Sequence, residues 1–452
     1  MKGKSYLFLS SIVAALGGFL FGFDTAVISG AEQFIQKLWQ LDDVSHGLAV
    51  AIALYGTVIG ALLGGIPADK FGRKVTLFWV GVLYFVSALG SALAPEIYSF
   101  MIFRFIGGLG VGASSVAAPM YISEIAPAGM RGRLVALFQF NVVLGIVVAY
   151  ISNYFLADIG ENAWRWMLGI EAIPAILYTI MVLFVPQSPR WLIVKKEDVE
   201  KARAILTRID ASNVEAAIIA IQESHMSKAE AAKSHFFSKK YSFPIMLAIL
   251  FAFFNQMAGI NAIIYYAPRI FAMTGAAASA ALISTAGVGV INLIFTMVGI
   301  TLIDKIGRRI LMFIGSVGLI ATLGLVARAF FLESFGGVPV FLFVYIAFFA
   351  LSQGAVIWVF ISEIFPNEVR AYGQSLGSFT HWLMAAIVAN VFPYFANTFG
   401  GGPVFLFFTI MMVLQLIFVW KLMPETKGKS LEELEKELSM RSKKRSGQVA
   451  KL

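Results

Sequence analysis

Apolar runs of roughly twenty residues recur twelve times along the chain, at 6–30, 47–68, 75–94, 98–122, 133–156, 164–185, 243–272, 278–303, 310–332, 338–364, 371–398 and 402–423. A helix rising ~1.5 Å per residue needs about that length to cross a hydrocarbon core of ~30 Å. Because lipid satisfies no backbone amide, only helices and closed barrels span it, and barrel strands alternate over just about ten residues. The runs therefore predict an all-α membrane protein of twelve transmembrane helices. Composition agrees: 59% of the 452 residues are hydrophobic and 13% charged, which no soluble domain of this size normally shows.

A net charge of +9 could suggest a nucleic-acid partner, but its distribution argues against one. Lys70, Arg73, Lys74, Arg131, Arg133, Lys305, Arg308, Arg309 and Arg370 occupy one alternate set of loops, whereas the other set and its span ends hold chiefly Lys37, Arg165, Arg269 and Arg328. The basic set marks the cytoplasmic side, so both termini are expected in the cytoplasm of a multi-pass plasma-membrane protein. Lys2 and Lys4 precede the first run without a small-residue cleavage site, as in a retained helix. With no cysteine there is neither a disulfide framework nor a thiolate metal site, and no cofactor is expected.

Residues 190–240 interrupt the apolar pattern with a Lys/Glu/Ala-rich segment of helical spacing, read as short amphipathic helices on the cytoplasmic side. After Pro424, Leu431, Leu434 and Leu438 share a helical face, followed by a basic run from Arg441 to Arg445 suited to a solvated tail near anionic headgroups. The expected organisation is a six-helix bundle over 1–189, a linker over 190–240, a second bundle over 241–425 and a tail over 426–452.

The two bundles are copies. GGIPADKFGRK around Asp69 returns as GITLIDKIGRR around Asp304, 235 residues on. YISEIAPAGMRG around Glu124 returns as FISEIFPNEVRA around Glu363, 239 on, and PQSPRWL from Pro186 as PETKGKSL from Pro424, 238 on. An even number of spans per copy points both copies the same way, an arrangement that places substrate at the repeat interface near the midplane. Within each copy Asp69, Arg73, Glu124 and Arg131, and correspondingly Asp304, Arg308, Glu363 and Arg370, are expected to pair as a cytoplasmic latch with two discrete arrangements.

Three charges fall inside spans. Asp24 lies six residues before Gly30, Arg104 six after the start of the fourth span and Glu171 seven after that of the sixth, so counting puts all three ~9–10 Å below one boundary. A carboxylate at that depth costs roughly 2.5–3.5 kcal/mol on insertion scales and marks a functional site. Two acids around one arginine leave an excess negative charge that a shared proton would neutralise. The seventh span carries Asn255, Gln256 and Asn261, whose amides suit a neutral polyol. Gln256 and Asn261 lie about 140° apart on a regular helix and converge only if it unwinds, which Gly259 permits; Tyr265 and Tyr266 could then close an outer mouth.

The repeated D-x-x-G-R-[RK] loops, the paired E…R loops, P-x-S-P-R and P-E-T-K-G together resemble the sugar porter family of the major facilitator superfamily, over essentially residues 6–435. The resemblance implies a secondary transporter that moves a monosaccharide, hexose or pentose, with a proton by alternating access as a monomer. It implies the proton-responsive pair Asp24 and Arg104, and sugar contacts at Gln139, Asn292 and Trp358, with His381 and Trp382 at matching positions. Departures are Gln187 for a usual glutamate, Asn255 for a glutamine, His381 for an Asn or Gln, and Gly354-Ala355 for Gly-Pro, the last expected to stiffen the tenth span. A passive uniporter and a non-transporting sugar sensor are the other readings. An enzyme is not expected, since H-E-x-x-H, G-x-S-x-G and Walker loops are all missing.

Overall fold

The computed structural model describes residues 3–127, 129–210, 213–231, 236–366, 368–429 and 431–449, and every regular element among them is helical. Among the described residues, twelve helices are long and apolar enough to cross a membrane, as the runs predict. Cα packing divides the chain into two compact units, Met1–Leu41 with Ala49–Ala232, and Asp42–Leu48 with Lys233–Leu452.

In the first unit the spans are Ser5–Leu38, Asp43–Lys70 from Ala49 onward, Arg73–Leu93, Ile97–Ile125, Arg131–Ile159 and Ala163–Leu183. Leu20, Val80, Tyr84, Val111, Tyr121, Phe138 and Tyr178 meet in their core, while Leu93 and Phe184 stay exposed where acyl chains would lie. Between such helices there is little hydrophobic drive, because lipid tails are as apolar as leucine; close packing and internal polar contacts hold the bundle. In the second unit, spans Lys239–Met273, Ala278–Ile306, Arg308–Phe331, Val338–Glu363, Arg370–Phe399 and Gly401–Lys421 pack around Phe251, Phe360 and Phe418, with Phe251 stacked on Phe360 at 5.1 Å.

Four helices differ from the run lengths, each for a local reason. The first continues past Gly30 to Leu38, because Ala31 and Ile35 keep a buried face that Glu32, Gln33 and Lys37 conceal in a hydropathy reading. Asp24 thus lies fourteen residues before the helix end rather than six. The sixth span breaks at Ile170-Glu171, between Ala163–Gly169 and Ala172–Leu183. The seventh breaks at Ala258-Gly259, where Gly259 takes φ 82°, a left-handed conformation natural only to glycine. The tenth carries a π-helical turn, Ala350–Gly354, so this segment departs from regular helix despite its missing proline.

Beyond the sixth span, Asp198 caps the helix Val199–Ile209 by accepting from Lys201 N at 3.0 Å, and Val214–Ala231 follows. Trp191, Leu192, Ile193, Ala202 and Ile218 form a small core here, in keeping with short amphipathic helices. The tail helix Leu431–Val449 buries Leu434 and Leu438; the side chain of Leu431 lies outside the described ones. It docks on the second unit, where Lys240 meets Glu435 at 2.6 Å and Phe243 N donates to Ser442 Oγ at 3.2 Å. The basic run belongs to this helix, with Arg441 paired to Glu437 at 2.8 Å, and side chains from Lys443 onward are not described.

Candidate functional site

In the first unit Arg104 Nη1 donates to Asp24 Oδ1 at 2.5 Å and Nη2 to the Asp24 carbonyl at 3.0 Å. Glu171, at the break in the sixth span, stands beside Asp24, and all three residues are 1% exposed. The first helix therefore overhangs the boundary assumed in the depth count, yet the three charges meet. Removing one partner from a buried ion pair strands the other charge and costs about 3–5 kcal/mol, so this pair is held tightly or exchanged for a proton. Two carboxyls face one guanidinium, and the cluster becomes electrically neutral with one proton bound. Glu171 Oε1 has no hydrogen-bond partner among the described residues, leaving an acceptor position where such a proton could sit.

In the second unit the break at Gly259 brings together the amides that a regular helix would separate. Asn261 Nδ2 donates to Gln256 Oε1 at 2.5 Å, and Gln256 Nε2 donates to Asn255 Oδ1 at 2.9 Å. The same Gln256 nitrogen lies 3.2 Å from the ring nitrogens of His381. Tyr345 Oη donates to the carbonyl of Ala258 at 2.8 Å, satisfying a backbone group that the break would otherwise orphan. The His381 ring lies 4.9 Å from that of half-exposed Trp358 and edge-on to Trp382 at 4.8 Å. These six residues form one polar and aromatic cluster. Asn292 accepts from Thr296 Oγ1 at 3.3 Å within its own helix, and Gln139 is half-buried on the fifth span of the first unit. Tyr266 Oη donates to the Ala389 carbonyl at 2.9 Å and its ring stacks on Phe392, while Tyr265 is 1% exposed.

At the basic-loop end the repeated motifs build two matching networks. Arg73 pairs with Asp69 at 3.0 Å and with Glu124 at 2.9 Å. Arg308 pairs with Asp304 at 3.0 Å and with Glu363 at 2.8 Å. Of the other two latch arginines, Arg131 is exposed and makes no ion pair among the described residues, and Arg370 Nε donates to the Phe365 carbonyl at 3.2 Å. Each glutamate instead takes a hydroxyl, Glu124 from Ser188 at 2.5 Å and Glu363 from Thr426 at 2.6 Å. The P-x-S-P-R and P-E-T-K-G segments are thus partners of the latch glutamates, which a repeat match alone leaves unassigned.

The sequence reading also missed a row of buried amides behind the cluster. Asn255 Nδ2 donates to the Gln353 carbonyl at 3.4 Å, Gln353 Nε2 to Gln415 Oε1 at 2.8 Å and Gln415 Nε2 to Ser316 Oγ at 2.8 Å. Gln353 sits in the π-turn, which aims it inward. A further acid, Glu32, is fully buried on the extended first helix. Apolar flanks around Gln415 were the available signal.

Comparison with known proteins follows the same lines. Residues 10–438 match the family described as sugar (and other) transporter. The D-xylose-proton symporter of Escherichia coli K12 is 38% identical over 96% of each chain, and the arabinose-proton symporter of Bacillus subtilis is 37% identical over 95% of each. The solved structure of the xylose transporter XylE from E. coli in a partially occluded, inward-open conformation superposes with a TM-score of 0.84 at 36% identity, over 94% of this chain and all of that one. The twelve helices therefore adopt the major facilitator fold, and the chain belongs to the sugar transporter family.

Proposed function

We propose that the protein is a proton-coupled monosaccharide symporter that works by alternating access, as a monomer, in the plasma membrane with its basic-loop end and both termini cytoplasmic. The observation that carries this reading is the buried set of two carboxyls, Asp24 and Glu171, around the single guanidinium of Arg104. Protonation of Asp24 would release Arg104 and change which face of the protein can open; a chain without coupling has no use for so costly a group. Relatives named as proton symporters for D-xylose and arabinose support the same mechanism and a pentose as cargo.

Gln256 is the proposed hub of the sugar site, with Asn255, Asn261, His381 and Trp382 around it and the face of Trp358 against the C–H face of the ring. Gln139 and Asn292 contribute further polar contacts, Tyr265 and Tyr266 form the outer gate, and the Arg73 and Arg308 networks hold the cytoplasmic side. The amide-to-amide bonds within the cluster support this reading: each polyol O–H would replace one amide partner with another of like strength, and no charge is desolvated.

The deciding measurement is sugar-induced alkalinisation outside proteoliposomes, with a panel of sugars assayed at two pH values. The wild type is expected to alkalinise the medium and accumulate sugar against its gradient, whereas Asp24→Asn loses accumulation and conducts only downhill exchange. Uptake independent of pH in the wild type and unaltered in Asp24→Asn would establish the passive uniporter instead. Absence of labelled-sugar counterflow despite binding would establish a sensor.

A further inference from the structure

The charged cluster of the first unit continues toward the basic-loop end as a row of hydroxyls. On the fourth span Gly107, Ser114 and Tyr121 follow one another at seven-residue steps; on the sixth, Tyr178 follows Glu171 by seven; on the third, Ser87 and Tyr84 are one turn apart. Seven residues are about two helical turns, so each series keeps to one face and advances ~10 Å per step. Ser87, Tyr84, Ser114, Tyr178 and Tyr121 are all 1% exposed or less.

The series meet in space. A Cβ added to Gly107 would lie 2.3 Å from Ser87 Oγ and 3.3 Å from Asp24 Oδ1, and one added to Gly17 would lie 2.8 Å from Ser114 Oγ and 3.0 Å from Tyr178 Oη. Tyr84 stands beside Ser114 and within electrostatic range of Asp24, Glu171 and Tyr178; Tyr121 is within range of Tyr178 and Tyr6. At the far end Tyr121 Oη donates to the Pro186 carbonyl at 2.8 Å, two residues from the Ser188 that holds Glu124.

The hydroxyls of Ser87 and Tyr178 have no hydrogen-bond partner among the described residues, and those of Tyr84 and Ser114 have only each other, in a contact short of good geometry. Buried hydroxyls are ordinarily paired, so four in one row call for a common explanation. A hydroxyl both accepts and donates, Gly107 and Gly17 let the Ser87 and Ser114 hydroxyls approach where a Cβ would clash, and bridging waters need two to four polar partners of this kind.

We infer that this row is a hydrated proton path running from the Asp24–Arg104–Glu171 cluster to the cytoplasmic face at the Tyr121–Pro186 contact, lined by no residue proposed for the sugar. It rests on the symport reading. One proton leaves a carboxyl of the cluster, each hydroxyl or water takes a proton on a lone pair and passes on its own, and one proton emerges beside Glu124. No group changes redox state, and each O–H rotates back before the next passage. The charges facing the path are Asp24 from the first span, Arg104 from the fourth and Glu171 from the sixth, with Arg73 and Glu124 at its cytoplasmic end.

The test compares Tyr178→Phe, Ser114→Ala and their double variant in proteoliposomes. Counterflow of labelled sugar, which needs no net proton movement and reports a folded carrier, is expected within twofold of wild type. The initial rate of sugar-induced alkalinisation is expected to fall about threefold in each single variant and at least tenfold in the double, with a larger solvent isotope effect than counterflow shows. Wild-type alkalinisation in the double variant, with Asp24→Asn inactive, would overturn the path and leave the symport reading standing. Alkalinisation by Asp24→Asn itself would overturn the symport reading and the path with it. Where the double variant lacks counterflow, the single variants decide on the same criteria.

Discussion

Residues differ in how loudly a sequence announces them. Asp24 and Arg104 stand out because a charge in an apolar run is costly, and cost is visible without coordinates. Gln353 and Gln415 do not stand out, since amides between helices are common and only the π-turn and the facing Ser316 make them a row. Gln256 is intermediate: its type was legible, but its bond to Asn261 depends on a backbone break. Because Asn255, Asn261 and His381 all meet this one side chain, Gln256→Ala leaves their polar groups without it and withdraws the proposed sugar hub. An unpaired buried polar group costs about 1–3 kcal/mol, and a tenfold change in affinity is about 1.4 kcal/mol, so the Kd for sugar is expected to rise between about fivefold and a hundredfold. Titration of sugar binding by intrinsic tryptophan fluorescence checks this, with Trp358 and Trp382 as reporters.

Elements were legible where hydropathy and helix coincide and lost where they part. Twelve spans follow from twelve runs, but the extension of the first helix to Leu38 was hidden because its buried stripe is flanked by Glu32, Gln33 and Lys37. Breaks are harder still. A helix interruption is set by competition between local backbone preference and tertiary contacts, and in the seventh span both act: Gly259 adopts φ 82° and Tyr345 takes up the freed carbonyl of Ala258. Gly259→Ala would place a Cβ 2.6 Å from the Phe408 ring and hold an L residue in the left-handed region, which costs roughly 1–2 kcal/mol before any clash. The variant is expected to melt at lower temperature in detergent and to bind sugar more weakly, because relaxing the strain rotates Gln256 away from Asn261. Ala258→Gly, which needs no new conformation, should leave binding within about twofold, a contrast that isolates the backbone effect.

At the scale of the whole molecule the chain is a duplication whose copies have diverged at one informative place. Glu425 accepts from Arg308 N at 2.9 Å and from Arg309 N at 3.0 Å, so its carboxylate closes the start of the ninth span beside the Arg308 network. The matching residue 238 positions earlier is Gln187. It occupies the equivalent spot, since a Cβ on Gly72 would lie 3.0 Å from Gln187 Oε1 just as one on Gly307 would lie 2.7 Å from Glu425 Oε2. Yet Gln187 Oε1 has no hydrogen-bond partner among the described residues, and a neutral amide gains less than a carboxylate from the positive end of the third span. The sequence exposed this substitution only as a departure from a motif; the two caps, compared in one chain, give it a physical meaning. Restoring the carboxylate with Gln187→Glu should let the first copy accept from its own helix start, an interaction of about 0.5–2 kcal/mol for a charge at a partly buried helix N-terminus. That corresponds to a rise in melting temperature on the order of 2 °C. If the network also acts as the proposed latch, a firmer first copy should slow net sugar uptake while the reverse change, Glu425→Gln, lowers the melting temperature. Melting curves of the two variants that move in the same direction would show that the caps are not equivalent and that the asymmetry at Gln187 has another cause.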